Sequence, residues 1–315
     1  MGIRVALFGS GWIQRFHAQA VLDHPSGELV AATNWREPSL RALSERFEIP
    51  RVTTTWHELA DDPSIDAVVI GTPNALHAEQ AIACLRAGKH VLVEKPMAVS
   101  VAECDAMIEA ARASGRWLMV AHCWRFHPAV VAARERVARG ELGRIVKTRG
   151  YGVHVNWGPS GWFTRRELAG GGALIDMGVH AIDTARFVLG DPEPVRVCAS
   201  IGTRYRSDYD VDDDGVLLVT WSNGTTSIVE SGWWQPHAGG PEADTELYGT
   251  GGYARIFPPQ EPEGEEHAPQ SMYSAQMAEF LDAIAEGREP RPNGEDGRVV
   301  MRIVEEAYRS AAELG

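Results

Sequence analysis

Three side chains in this sequence are of the types that move protons and charge together: Lys95, Asp176 and His180. Only three of the 30 basic residues are lysines (Lys89, Lys95 and Lys147), so arginine is the default cation. A lysine ammonium is compact and its pKa falls on desolvation, which suits proton chemistry, whereas arginine stays charged and clamps anions. Lys95 lies in Glu94-Lys95-Pro96, after an apolar run, His90-Val91-Leu92-Val93, that reads as a buried strand. A lone lysine at a strand end ordinarily snorkels into water, so its assignment to chemistry depends on the rest of the chain. In the second half, Gly170-Gly171-Gly172 leads to Asp176 and His180, four residues apart and therefore on one face of a helix. An imidazole is the natural side chain for moving a proton near neutral pH, where its unperturbed pKa of roughly 6.5 lies. The carboxylate can fix its tautomer, position a substrate, or do both. The pair could also offer two metal ligands, but no third ligand follows at metal spacing, so no metal is expected.

A second chemical signal is Gly9-Ser10-Gly11-Trp12-Ile13-Gln14, between a first strand and a first helix. Two glycines there let the backbone turn tightly and approach a pyrophosphate at the positive end of the helix. Gly9, Gly11, Trp12 and Ile13 are the candidate contacts, and Gln14 stands where a third glycine is usual. The second strand ends Thr33-Asn34-Trp35-Arg36-Glu37. An acidic residue at this point hydrogen-bonds a ribose 2′-hydroxyl and repels a 2′-phosphate, so neutral Asn34 with Arg36 leans to NADP over NAD, while Glu37 pulls the other way. The loop Gly71-Thr72-Pro73-Asn74, followed by His77, closes a further strand and should flank one cleft with Glu94-Lys95-Pro96.

The elements that must position these residues are legible as alternation. Strands are predicted at Ile3–Phe8, Leu29–Thr33, Ala67–Ile70, His90–Val93 and Trp117–Val120, with helices at Ile13–Leu22, Pro38–Phe47, Ala75–Ala87 and Val101–Ala113. Asn74 and Ser100 are predicted helix caps, and Gly88 a helix stop. This is the pattern of a doubly wound parallel sheet, a Rossmann domain over residues 1–122. From 123 to 315 the pattern changes. A helix at Ala129–Arg139 precedes strands at Ile145–Tyr151, Val195–Ile201, Gly215–Trp221 and Thr225–Trp233, interrupted by a helix at Ala173–Leu189. That succession predicts an α/β domain with a large, open, mostly antiparallel sheet. Pro258–Gln270 reads as an exposed acidic loop, and helices at Tyr273–Glu286 and Asp296–Leu314 follow.

A length of 315 residues fits two domains, and 44% hydrophobic with 23% charged residues is the balance of a globular protein. A formal charge of −13 with scattered arginines argues against nucleic acid as a partner. No apolar run approaches the roughly 18 residues of a membrane span, so no membrane partner is expected. The amino terminus enters a strand with no secretory pattern, and a cytoplasmic location follows as the default. Cys84, Cys104, Cys123 and Cys198 lie far apart with no Cys-x-x-Cys pair, which predicts reduced thiols.

Taken in order, these motifs resemble the glucose–fructose oxidoreductase / inositol dehydrogenase / MocA (Gfo/Idh/MocA) family over nearly the whole chain. The resemblance rests on Gly9-x-Gly11 with His17 and Ala18, Thr72-Pro73-Asn74 with His77, Ala87-Gly88-Lys89-His90-Val91 leading to Glu94-Lys95-Pro96, and the three glycines leading to Asp176 and His180. It implies an NAD(P)-dependent dehydrogenase or reductase acting on a sugar, polyol or related hydroxy or keto compound. It also implies a catalytic group of Lys95, Asp176 and His180, and assembly as a homodimer or homotetramer through the second sheet. His180 is the expected general acid–base and Lys95 the expected stabiliser of a developing alkoxide. Thr72, Pro73, Asn74, His77, Glu94 and Lys95 join the cofactor site, and Gln14 and Asn34 depart from the family's usual small residue and aspartate. Arg125, His154 and Trp162 are the expected substrate contacts, with Trp157 and Arg165 near them. The Lys95–Pro96 bond is expected to be cis. Relatives of this scaffold also accept cyclic imines, pigments, dihydrodiols and semialdehydes, and a non-catalytic nucleotide sensor is the reading from another class.

Overall fold

A computed structural model describes residues 2–236, 242–257 and 269–314. The chain divides into two compact units, Met1–Cys123 with Gln270–Arg298, and Trp124–Pro269 with Val299–Gly315.

In the first unit the apolar runs become strands because helices cover both faces, leaving no polar side to alternate. The chain passes through β1 (Ile3–Phe8), α1 (Trp12–Asp23), β2 (Gly27–Thr33), α2 (Glu37–Phe47), β3 (Arg51–Thr53), α3 (Trp56–Ala60), β4 (Ala67–Ile70), α4 (His77–Arg86), β5 (His90–Glu94), α5 (Val101–Ser114) and β6 (Leu118–Ala121). Every residue of β4, β5 and β6 is buried. The sheet runs β3-β2-β1-β4-β5-β6, all parallel, so its order reverses between β1 and β4. Ligands of such sheets bind outside the carboxyl ends of the strands at that switch point. Ser100 caps α5 as expected, accepting from Glu103 N at 3.2 Å. Asn74 does not cap α4; it opens a 3₁₀ turn, Asn74–Leu76, ahead of it. The short β3 and α3 went unread because β3 is three residues long and largely exposed.

The expected boundary between residues 122 and 123 lies within one residue of the division, but residues 270–298 return to the first unit. The reason is packing on α1 by α9 (Gln270–Glu286), whose buried Met272, Tyr273, Met277, Phe280 and Leu281 need an apolar partner. Tyr273 packs on Phe16 at 4.6 Å, and Gln270 Nε2 donates to Phe16 O at 3.1 Å. The segment after α9 also covers the edge of β6, where Val120 N donates to Pro292 O at 3.0 Å. An uncovered edge invites pairing with other chains.

The second unit contains α6 (Pro128–Ala138), β7 (Ile145–Val155), α7 (Arg166–Ala169), α8 (Val179–Val188), β8 (Pro194–Gly202), β9 (Asp214–Trp221), β10 (Thr226–Gln235), β11 (Ala243–Gly249) and β12 (Gly252–Arg255). Most of α10 (Gly294–Leu314) belongs here too. The sheet order is β12-β11-β7-β10-β9-β8, antiparallel except for the β7/β10 pair. Along β9, Gly215, Leu217, Val219 and Trp221 are buried while Val216 and Leu218 face outward, the alternation of a sheet covered on one side. Val130, Ala133 and Val188 of α6 and α8 pack with Ile145, Leu247 and Ala254. β11 and β12 were not anticipated, since buried Asp244 and Thr245 break the apolar pattern. Of the expected acidic loop, residues 258–268 lie outside the described residues, and Gln270 already begins α9. Among the described residues no helix is long and apolar enough to cross a membrane.

Arg125 departs from its expected role. Its guanidinium is buried, with Nε 2.9 Å from Asp183 Oδ2 and Nη2 2.6 Å from Asp183 Oδ1, Nη1 3.3 Å from Asp191, and one face over the Phe187 ring at 5.1 Å. It is therefore committed to a buried ion-pair network that ties the segment before α6 to α8, not turned out to hold a substrate. Breaking such a pair from one side leaves a charge uncompensated. Arg125→Met is expected to lower unfolding free energy by about 3–5 kcal/mol. The double variant Arg125→Met/Asp183→Leu should recover most of that loss in urea titrations, and equal losses in both would show that Asp183 gains nothing from its partner.

Candidate active site

A dinucleotide pyrophosphate needs close backbone approach and donors left over at a helix start. Gly9 has φ +107°, and a Cβ there would collide with the Gly71 carbonyl of the loop after β4. A Cβ on Gly11 would meet nothing within 4 Å, so there is open space before α1. α1 has no side-chain cap and no acidic residue in its first turn. Gln14, in the third glycine's place, is wholly buried, and its Nε2 donates to Phe8 O at 2.8 Å and Val69 O at 3.3 Å. Its side chain thus fills the gap between α1 and the ends of β1 and β4 and does not turn toward a ligand. Gly9, Gly11 and the uncapped start of α1, where Trp12 and Ile13 follow, fit a pyrophosphate group.

At the end of β2, Asn34 Nδ2 donates to the hydroxyls of Ser10 and Ser39, whose oxygens are 2.7 Å apart. Arg36 lies over the exposed Trp35 ring at 5.3 Å. Glu37 pairs with Arg41 at 3.0 Å, one turn along α2. The cluster at the end of β2 is therefore neutral, with a cation at its border.

The two loops expected to flank the cofactor are joined by His77. Its Nδ1 is 2.9 Å from Pro96 O and its Nε2 2.9 Å from Thr72 O, and burial holds its pKa below the ordinary imidazole value. A fully buried His77 links the loops from inside and does not face a ligand. Glu94 likewise turns inward: Oε1 lies 2.7 Å from His17 Nε2, and Oε2 accepts the backbone N–H of Lys95 at 3.1 Å. Lys95 is only partly buried and precedes a cis bond to Pro96, as expected. Sequence reading singled out Gln14 in the third glycine's place and His17 within the resemblance, but not the buried partners that each one holds.

In the second unit the helix carrying the other pair opens irregularly. Leu174–Gly178 is a π-turn, and α8 begins after it, so Asp176 sits on the π-turn and His180 on the first turn of α8. Asp212 holds the start of the π-turn, accepting Gly172 N and Leu174 N at 2.8 Å each, while Tyr308 Oη donates to its Oδ1 at 2.7 Å. The glycines make this possible. A Cβ on Gly171 would strike Tyr308, one on Gly172 the Asp212 backbone, and one on Gly152 of β7 the Met177 carbonyl. Asp176 is buried, and its Oδ2 accepts from Trp233 Nε1 at 3.0 Å. His180 packs edge-on to Trp124 at 6.3 Å.

His154 departs from its expected role as a substrate contact, because both ring nitrogens face carboxylates. Nε2 is 3.4 Å from Asp176 and Nδ1 3.0 Å from Glu242. Trp162 stacks on Phe163 at 3.9 Å and is half-buried, and Arg165 is exposed. Sequence reading missed Asp212, Trp233 and Glu242. Asp212 lies in the acidic run Asp210-Val211-Asp212-Asp213-Asp214, a weak signal; Glu242 had none.

The chain matches the oxidoreductase family with an NAD-binding Rossmann fold, GFO/IDH/MocA, over residues 3–122, and the GFO/IDH/MocA C-terminal domain over residues 130–255. It is 32% identical over 309 residues to 1,5-anhydro-D-fructose reductase of Ensifer adhaerens, covering 93% of this chain and 92% of that one. Among solved structures, GenD2 from gentamicin A biosynthesis in complex with NAD superposes with a TM-score of 0.90 at 28% identity, covering 100% of this chain and 95% of that chain. Levoglucosan dehydrogenase in complex with NADH and levoglucosan superposes with a TM-score of 0.88 at 27% identity, covering 100% and 98%. With its parallel nucleotide-binding sheet and second mixed sheet, the chain belongs to the GFO/IDH/MocA family, as an NAD(P)-dependent oxidoreductase acting on CH–OH groups.

Proposed function

We propose that this enzyme transfers a hydride between NADP and the secondary alcohol or ketone of a sugar, polyol or related small molecule. In this reading His180 is the general acid–base, Lys95 stabilises the alkoxide and Asp176 orients His180 or the substrate. The observation that carries it is the setting of Asp176: a buried carboxylate on a π-turn, bound by an indole N–H and backed by an imidazole. Burying a carboxylate costs stability, and both π-turns and buried ionisable clusters gather where chemistry is done.

Bound nicotinamide would accept or supply the hydride at its C4. A ring nitrogen of His180 takes the proton from the substrate hydroxyl in oxidation and returns it to the forming alkoxide in reduction. The Lys95 ammonium, placed after the carboxyl end of β5, meets the negative charge that develops on the same oxygen. For the cofactor, the neutral Ser10, Asn34 and Ser39 cluster brings no negative charge to repel a 2′-phosphate, with Arg36 as its cation. The NAD and NADH held by the two solved relatives leave this preference to the chain's own residues. The sugar-like substrates in the relatives' names support a carbohydrate-like ligand, and the faces of Trp162 and Trp157 suit one. The exposed Val195, Val216 and Leu218 on the outer face of the second sheet support assembly as a homodimer or homotetramer. Cys84, Cys104 and Cys123, all buried and outside any disulfide, suit a cytoplasmic enzyme.

Lys95→Ala and His180→Ala should each lower kcat by about 10²–10⁴-fold while NADPH binding, followed by the fluorescence of its reduced nicotinamide, stays within a few-fold. A rate near the parent's in either variant removes that residue from the reaction. Asn34→Asp should shift the NADP/NAD ratio of kcat/KM toward NAD by about tenfold or more. Like-charge repulsion at 4 Å amounts to ~1–4 kcal/mol between water and a protein surface. An unchanged ratio would show that position 34 does not read the ribose.

A further inference from the structure

His154, near the end of β7, is 11% exposed at its side chain and bracketed by acids from two different segments. Asp176 comes from the π-turn and Glu242 from the residue before β11. Their oxygens lie 3.4 Å from Nε2 and 3.0 Å from Nδ1. Two carboxylates on opposite sides of an imidazole favour the imidazolium, which alone has two N–H groups and whose charge they offset, unlike the neutral carbonyls around His77. A neutral ring would turn a lone pair on one of them, whereas the charged ring makes two charge-assisted contacts.

The surroundings fix both acids for this duty. Glu242 Oε1 accepts from Val155 N at 3.1 Å and Trp157 Nε1 at 2.6 Å, which leaves Oε2 facing His154. The Trp157 ring stacks on His154 at 3.7 Å. Trp233 Nε1, from β10, donates to the same Asp176 oxygen that faces His154. Among the described residues the charged groups that act on the ring are the carboxylates of Asp176 and Glu242, and the stacked Trp157 is neutral. Burial opposes charge on His154, but the contacts with Asp176 and Glu242 outweigh it and raise its pKa above the ordinary value. Burial would raise the pKa of Glu242, yet His154 and the Val155 and Trp157 donors lower it.

We propose that His154 is a positioning residue, an imidazolium shared with Glu242 that keeps Asp176 ionised and aimed, and whose deprotonation sets the alkaline limit of turnover. The inference rests on the place given to Asp176 in the reaction above. The stability the cation lends is fully present below the ordinary imidazole range and is lost as pH rises through the raised folded value. When a ring nitrogen gives its proton to water, a lone pair faces a carboxylate oxygen. Asp176 then loses its counter-charge.

Two measurements on the full chain test this separately. Nitrogen-15 NMR of the ring should show His154 doubly protonated at pH 7 and titrating above the ordinary imidazole range. A ring that is neutral at pH 7 overturns the proposal whatever the kinetics. In pH profiles of kcat, Glu242→Gln should move the alkaline limb to lower pH by about one unit or more, since an opposite charge at this range shifts a pKa by roughly 1–3 units. His154→Gln should lower kcat several-fold and abolish that limb. A limb unchanged in Glu242→Gln, with the ring pKa lowered by NMR, would show that His154 does not act through Asp176. Full activity in Lys95→Ala and His180→Ala would instead overturn the assignment of the reaction, and the NMR titration would still decide the charge on His154.

Discussion

Backbone N–H groups at a helix start have no partner within the helix, and this chain meets that constraint differently at the elements that carry its candidate site residues. At α5 the Ser100 hydroxyl accepts one, and at α6 the His127 ring does. At the π-turn a buried carboxylate, Asp212, takes two, and Tyr308 holds that carboxylate in turn. α1 carries no side-chain cap, lies at the switch point of a parallel sheet, and begins beside a glycine with open space before it. The positive end of that helix is left for an anion. Other helices, α2 and α4 among them, also start without a side-chain cap, so it is the place of α1 at the switch point and the glycines before it that set its start apart.

Close backbone approach is the second requirement, and it explains where glycines fall. Gly9 lets the first loop touch the Gly71 carbonyl, which sets the cofactor loops side by side. Gly152 lets β7 press against Met177 of the π-turn, so that Asp176, on the turn that follows α7, lies within reach of His154. In both cases a methyl group would separate elements whose contact builds the site.

Much of this was legible in sequence. The buried runs of the first sheet are continuous because both faces are covered, and such runs announce themselves. The second sheet's strands were legible where alternation was clean, as in β9, and illegible in β11, where Asp244 and Thr245 are buried by long-range partners. The glycine-rich approach to Asp176 and His180 was visible, but its π-turn depends on Asp212, some forty residues on, and spacing alone cannot supply that partner. For the same reason Arg125 and His154 looked like ligand-facing residues. An arginine reads alike whether it meets a substrate or Asp183, and the distinction lies in a pairing across 58 residues.

The three lysines show how structure sharpens a sequence anomaly. Lys89 is buried and its ammonium donates to the carbonyls of Asp62 and Ile65, tying down the turn before β4. Lys147 lies over the Tyr248 ring at 4.3 Å, a cross-strand contact of the second sheet. Each thus has a structural duty that suits a compact, three-donor cation. Lys95 is set differently. Its neighbour Glu94 is spent on His17 and on the Lys95 backbone N–H, and His77 fixes the Pro96 carbonyl behind it. Three buried polar side chains therefore constrain the backbone around a lysine that is itself only partly buried. Rigid support of the main chain on either side of one ammonium is what a charge-stabilising group requires, because a preorganised cation pays no reorganisation as charge develops.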